Sequence, residues 1–82
     1  MNKIFVDSDV ILDLLCKREP YYQDAAAVFT LCDKKQLNLY TTSLVFANVY
    51  YILRKIVGIK NAKKLVKKIR LLVHVISVYK RL

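Results

Sequence analysis

The chain alternates between short apolar runs and longer stretches of helical periodicity. Lys3-Ile4-Phe5-Val6 reads as a short buried strand with Asp7 at its carboxyl end. The next residues, to about Cys16, place Val10, Ile11, Leu14 and Leu15 on one helical face, with Ser8 or Asp9 as the N-cap. Lys17-Arg18-Glu19-Pro20 ends this helix: basic residues suit a helix C-terminus, and Pro20 opens the next element. Residues 21–35 form a second helix, with Ala25, Val28, Phe29 and Cys32 at helical spacing. Residues 37–40 alternate and read as a second strand. Thr41, Thr42 or Ser43 then caps a long helix to about Val57, stopped by Gly58. Its apolar positions Leu44, Val45, Ala47, Val49, Tyr51, Ile52 and Ile56 cover much of the circumference, which predicts a largely buried helix. A fourth helix spans about Lys60 to Leu72, residues 73–78 read as a third strand, and Tyr79 to Leu82 begin a further element.

The resulting order is β-α-α-β-α-α-β. Strands separated by helical crossovers predict an α/β fold with a parallel three-stranded sheet flanked by helices. Right-handed crossovers place helices over its faces. Ligands of such sheets bind beyond the carboxyl ends of the strands, where Asp7 lies.

The chain has 82 residues, enough for one small domain, and 56% of them are hydrophobic, with one Gly and one Pro. That excludes a disordered chain. It is also apolar for so small a monomer, so some apolar surface is expected to lie against another chain or segment. Cys16 and Cys32 fit no metal-type spacing and read as half-buried free thiols. Asp7, Asp9 and Asp13 interrupt any signal-peptide pattern, and no run approaches the ~18 apolar residues of a membrane span. A soluble, cytoplasmic protein with no membrane partner is the expectation.

The net charge is +9, and its distribution changes the picture more than its size. All six acids lie at or before Asp33, and the twelve Lys and Arg residues from Lys34 onward have no acid among them. Such asymmetry points to a polyanionic partner, RNA or an acidic protein.

Asp7, Asp9 and Asp13 place three carboxylates at a strand-to-helix turn, where they repel one another unless compensated. A hard divalent cation would relieve that, bound through one or two carboxylates and several waters. The plainer reading makes Asp9 a cap and Asp13 a solvated charge. A cap explains Asp9 better than Asp7, so Asp7 is the stronger candidate ligand. Asn48 is the lone polar residue between Ser43 and the tyrosines; read as a buried amide, it either serves the site or satisfies a backbone group. Lys60, Lys63, Lys64, Lys67 and Lys68 share one helical face, opposite Ala62, Leu65, Val66, Ile69 and Leu72. That face is either a solvated surface or a phosphate-contacting one, which Arg54 and Lys55 extend. His74 reads as structural, and the tyrosines show no base-stacking spacing.

The opening Lys3-Ile-Phe-Val-Asp7-Ser-Asp-Val-Ile-Leu-Asp13-Leu-Leu, followed by Lys17-Arg-Glu-Pro20, resembles the start of PIN domains. Thr42-Ser43-Leu44 through Tyr50-Tyr51-Ile-Leu-Arg54-Lys55 is similar to their third helix. The resemblance implies a ribonuclease dependent on Mg²⁺ or Mn²⁺, often the toxin of a toxin–antitoxin pair. It assigns Asp7 as the first metal-binding aspartate, with Ser8 beside it and Asp9, Asp13 and Ser43 in support. Asp9 stands where the family most often has Asn, and Asn48 where many members have Glu. The family's remaining aspartates come later, so residues 1–82 are expected to be an N-terminal, partial PIN-like domain, inactive or nearly so. The missing strands would leave an open sheet edge, covered by a second copy in a homo-oligomer. The alternative is a non-catalytic module that binds RNA or an antitoxin-like protein through helix 60–72. A phosphoacceptor-type α/β domain is disfavoured by the doubled helices between strands.

Overall fold

The computed structural model describes residues 2–76. Its elements are β1 (Asn2–Phe5), α1 (Ser8–Leu15), α2 (Tyr22–Asp33), β2 (Leu37–Thr42), α3 (Ser43–Val57), α4 (Ile59–Arg70) and β3 (Val73–Ile76). The α/β class and the β-α-α-β-α-α-β order are those expected from the sequence. Residues 77 and 78 of the expected third strand, and the element expected from Tyr79, lie outside the described residues. No described helix is long and apolar enough to cross a membrane.

The three strands are parallel and lie in the order β1-β2-β3. Cross-strand register aligns Phe5 with Tyr40 and Tyr40 with His74, and Leu39 with Val73. Two successive crossovers of the same hand, moving the same way across a sheet, bring all four helices to one face. The burial pattern agrees: Leu39, Thr41 and Val73 are buried, whereas the alternating residues Tyr40, His74 and Ile76 are half-buried or exposed. The helices therefore cover one face of the sheet, not both as the sequence reading supposed.

On the covered face, Val6, Ile11, Leu39, Val49, Leu53 and Ile69 form the centre of the core. Burying each such aliphatic side chain contributes about 1.5–3 kcal/mol. Thr41 is the buried polar residue of the core, and its hydroxyl donates to the Val6 carbonyl at 2.7 Å.

Helix ends explain most boundary differences. Helices α1 and α2 both close with paired hydrogen bonds back onto the last turn. Arg18 N–H donates to Asp13 O and Lys17 N–H to Leu14 O; Gln36 N–H donates to Leu31 O and Lys35 N–H to Cys32 O. Lys17 and Lys35 sit at the left-handed position, with φ of 51° and 63°. Glycine usually holds that position, so neither stop carries its normal sequence signal. Gly58 does end α3 as expected, with φ 89° and ψ 162°. Thr42 is the cap of α3, accepting from Val45 N–H at 3.1 Å, and Thr41 belongs to β2.

Helix α3 is not largely buried. Phe46, Val49 and Leu53 face the core, while Leu44 and Ile56 are exposed by more than 60% and Tyr51 by 48%. The helix packs on α4, α1 and β2, which occupy one side of it, and its other side has no packing partner among the described residues.

Candidate metal-binding site

Asp7 stands where β1 gives way to α1. The strand is held up to this point, because Val6 N–H donates to Tyr40 O at 2.8 Å and Thr41 fixes the Val6 carbonyl. Asp7 is extended (φ −100°, ψ −175°) and is itself the N-cap of α1: its Oδ1 accepts from Val10 N–H at 3.3 Å. This corrects the expectation that Ser8 or Asp9 caps the helix. The cap geometry needs a side chain leaving the strand in β conformation, which Asp7 has and the helical Ser8 and Asp9 do not. Capping uses one carboxylate oxygen. Asp7 is exposed, and no cationic side chain pairs with it among the described residues.

Asp9 and Asp13 behave differently. Arg18 Nε donates to Asp13 Oδ1 at 2.9 Å, and its terminal nitrogen lies 3.7 Å from Asp9 Oδ1 and 3.4 Å from Asp9 O. The three carboxylates are thus not uncompensated: one guanidinium serves two of them. Asp13, with its side chain 14% exposed, is the better shielded partner, while the Asp9 side chain is 84% exposed. Sequence reasoning missed Arg18 because a spacing of five residues is not a helical pair. The turn after α1 makes the contact: it reverses the chain and lays Arg18 back along Asp13. Asp9, Asp13, Arg18, Glu19 and Tyr21 line an open cavity of about 490 Å³ beside the turn.

Asn48 joins the site from α3. Its amide donates to the Ser8 hydroxyl at 2.9 Å. Asn48 is exposed, not buried, and its partner is a side chain of the turn, not a backbone group. Ser43 opens α3 next to the Thr42 cap and is exposed. The structure thereby gathers Asp7, Ser8 and Asn48 at the carboxyl end of β1, and ties Asp9 and Asp13 to Arg18.

The basic residues lie elsewhere. Lys60, Lys63, Lys64, Lys67 and Lys68 are all exposed on α4, while Ala62 and Ile69 are buried beneath them. Arg54 and Lys55 surround Tyr51 on α3 instead, 5.1 and 4.2 Å from its ring centroid. Cys16 and Cys32 are half-buried free thiols, as expected.

A family model described as PIN domain matches residues 3–81. The chain belongs to the PIN domain family. Searches of curated proteins and of solved structures find no match. PIN domains have a nuclease-like fold and usually work with divalent cations. In this PIN domain the donor set near Asp7 is one carboxylate, a hydroxyl and an amide. Among the described residues no group of three or more His, Cys, Asp or Glu side chains is placed to hold a metal. The hard oxygen donors suit Mg²⁺ or Mn²⁺ bound through one carboxylate, with water and substrate oxygens completing the shell, but do not make an all-protein cage.

Proposed function

We infer that the chain supplies the first carboxylate and an RNA-contacting surface of a PIN-type endoribonuclease that depends on Mg²⁺ or Mn²⁺. The observation that carries this reading is Asp7: a carboxylate at the carboxyl end of a parallel strand, without a cationic partner, in a PIN domain. Asp7 would hold the cation through the oxygen its cap leaves free. Ser8, tethered by Asn48, keeps the turn in place, and Asn48 stands in the position of the family's Glu without its charge. When bound, the cation supplies Lewis-acid stabilisation of a phosphate and an activated water. That chemistry needs several converging carboxylates, and the sequence has no acid after Asp33. The chain alone is therefore inactive or nearly so, one part of a PIN-like domain. A toxin role with an acidic antitoxin-like partner follows from the same family reading.

A second reading makes the chain a non-catalytic RNA-binding module. Five exposed lysines on α4 without an acidic partner favour it. Fluorescence anisotropy with single-stranded RNA, followed by a cleavage assay in Mn²⁺, separates the two. Binding that weakens steeply between about 50 and about 200 mM salt, and weakens further in K63E/K67E, is expected, without cleavage. Cleavage abolished by D7N would refute the inactivity and leave the metal reading standing. Cleavage unaffected by D7N would refute the role of Asp7. Salt-independent RNA binding would refute the lysine surface.

A further inference from the structure

All-parallel sheets occur almost only with both faces covered. Here the helices cover one face, and the register defines the other: Lys3 and Phe5 of β1, Tyr40 of β2, and His74 and Ile76 of β3. Phe5 is 56% exposed and Ile76 50%. Phe5, Tyr40 and His74 lie side by side in one cross-strand row. From this we propose that the helix-free face of the sheet docks an acidic amphipathic helix of a partner polypeptide. The inference does not depend on the nuclease reading.

Three observations select that occupant. The first is charge. Lys3 is the charged residue of the face and no acid shares it, in a chain of net charge +9. A second copy would bring a like charge against it, whereas an acidic helix would be drawn in and could place a carboxylate on Lys3. The second is ring orientation. Tyr40 and His74 stack on each other, with centroids 4.7 Å apart and planes 24° apart, and Lys3 Nζ lies 6.0 Å from the Tyr40 centroid. Tyr40 thus stands upright between a ring from one neighbouring strand and a cation from the other. Its faces are not laid open for a nucleobase, and an edge-on row offers gaps for side-chain knobs. The third is the mixture of Phe5 and Ile76 with Lys3. Their partner needs one apolar stripe and one acidic flank, which an amphipathic helix supplies.

The test uses the full chain and a peptide of about 18 residues, long enough to be helical, with leucines along one face and glutamates on the other. Its counterpart carries lysines in place of the glutamates. Binding is followed by anisotropy and by amide chemical-shift changes. The acidic peptide is expected to bind and to shift Phe5, Tyr40, His74 and Ile76. F5S weakens binding about tenfold or more, and the lysine peptide does not bind. K3E, which removes no apolar surface, weakens the acidic peptide and admits the lysine peptide; it decides the matter if F5S unfolds. No binding of the acidic peptide overturns the proposal. So do shifts confined to the α4 lysines, sheet-face shifts caused by single-stranded RNA in its place, or a concentration-dependent dimer abolished by F5S.

Discussion

The Asn48 side-chain amide donates to the Ser8 hydroxyl at 2.9 Å, joining residues forty positions apart. The bond ties the first turn of α1 to the second turn of α3, beside the carboxylate of Asp7. A neutral amide therefore sits where the site has room for a second charge. Replacing Asn48 with Glu should tighten Mn²⁺ binding by about an order of magnitude, because ligand charge sets affinity at such oxygen sites. Isothermal titration of the two proteins checks this; equal affinities would mean that α3 does not reach the cation.

Arg18 neutralises Asp13 and, more distantly, Asp9. R18Q should destabilise the fold by about 0.5–1 kcal/mol, discounted because the Arg18 side chain is 46% exposed. Urea titration at low and high salt measures it, and the difference should shrink as salt rises. A variant as stable as the parent at low salt would show the ion pair to be ornamental.

Thr41 connects the two central strands through the buried hydrogen bond to Val6 O. T41V keeps the shape but leaves that carbonyl without its partner, a loss of about 1–3 kcal/mol. Because Val6 immediately precedes Asp7, amide exchange at Asp7 to Val10 should quicken as well. Unchanged exchange there would separate core stability from the order of the turn.

Gly58 and Lys17 provide a pair of opposite sign. Gly58 has backbone angles open essentially to glycine alone, although a Cβ there would meet nothing within 4 Å. G58A should cost about 1–3 kcal/mol from the backbone alone. Lys17 holds a left-handed angle without being glycine, so K17G should stabilise by about 1 kcal/mol. Thermal melts of both variants suffice, and parallel shifts in the same direction would contradict the account.

The sequence made the elements legible wherever periodicity and stop signals coincided. Gly58 announced the end of α3, and the lysine face of α4 with Ala62 and Ile69 opposite was readable from spacing alone. The ends of α1 and α2 were less so, since Lys17 and Lys35 do the work of glycines. The burial of α3 was overestimated because apolar positions such as Leu44 and Ile56 mark what a helix could bury, not how many neighbours it has. At the site, Asp7 was legible as a candidate ligand but not as a cap. Arg18 was hidden, because its contact with Asp13 arises from a turn and not from helical spacing. Asn48 was noticed for its polarity, yet its partner Ser8 lies forty residues away, a relationship only the fold creates.

Two roles meet in Asp7, and one substitution can separate them. Asparagine caps a helix as well as aspartate does, so D7N retains the bond to Val10 N–H while removing the charge. The direct test is paramagnetic broadening of amide signals during Mn²⁺ titration of the parent and of D7N. The account predicts broadening centred on Asp7, Ser8 and Asn48 in the parent, lost in a D7N protein of unchanged melting temperature. Broadening that persists in D7N, or that centres on Asp33 or the Glu19 turn, would contradict it.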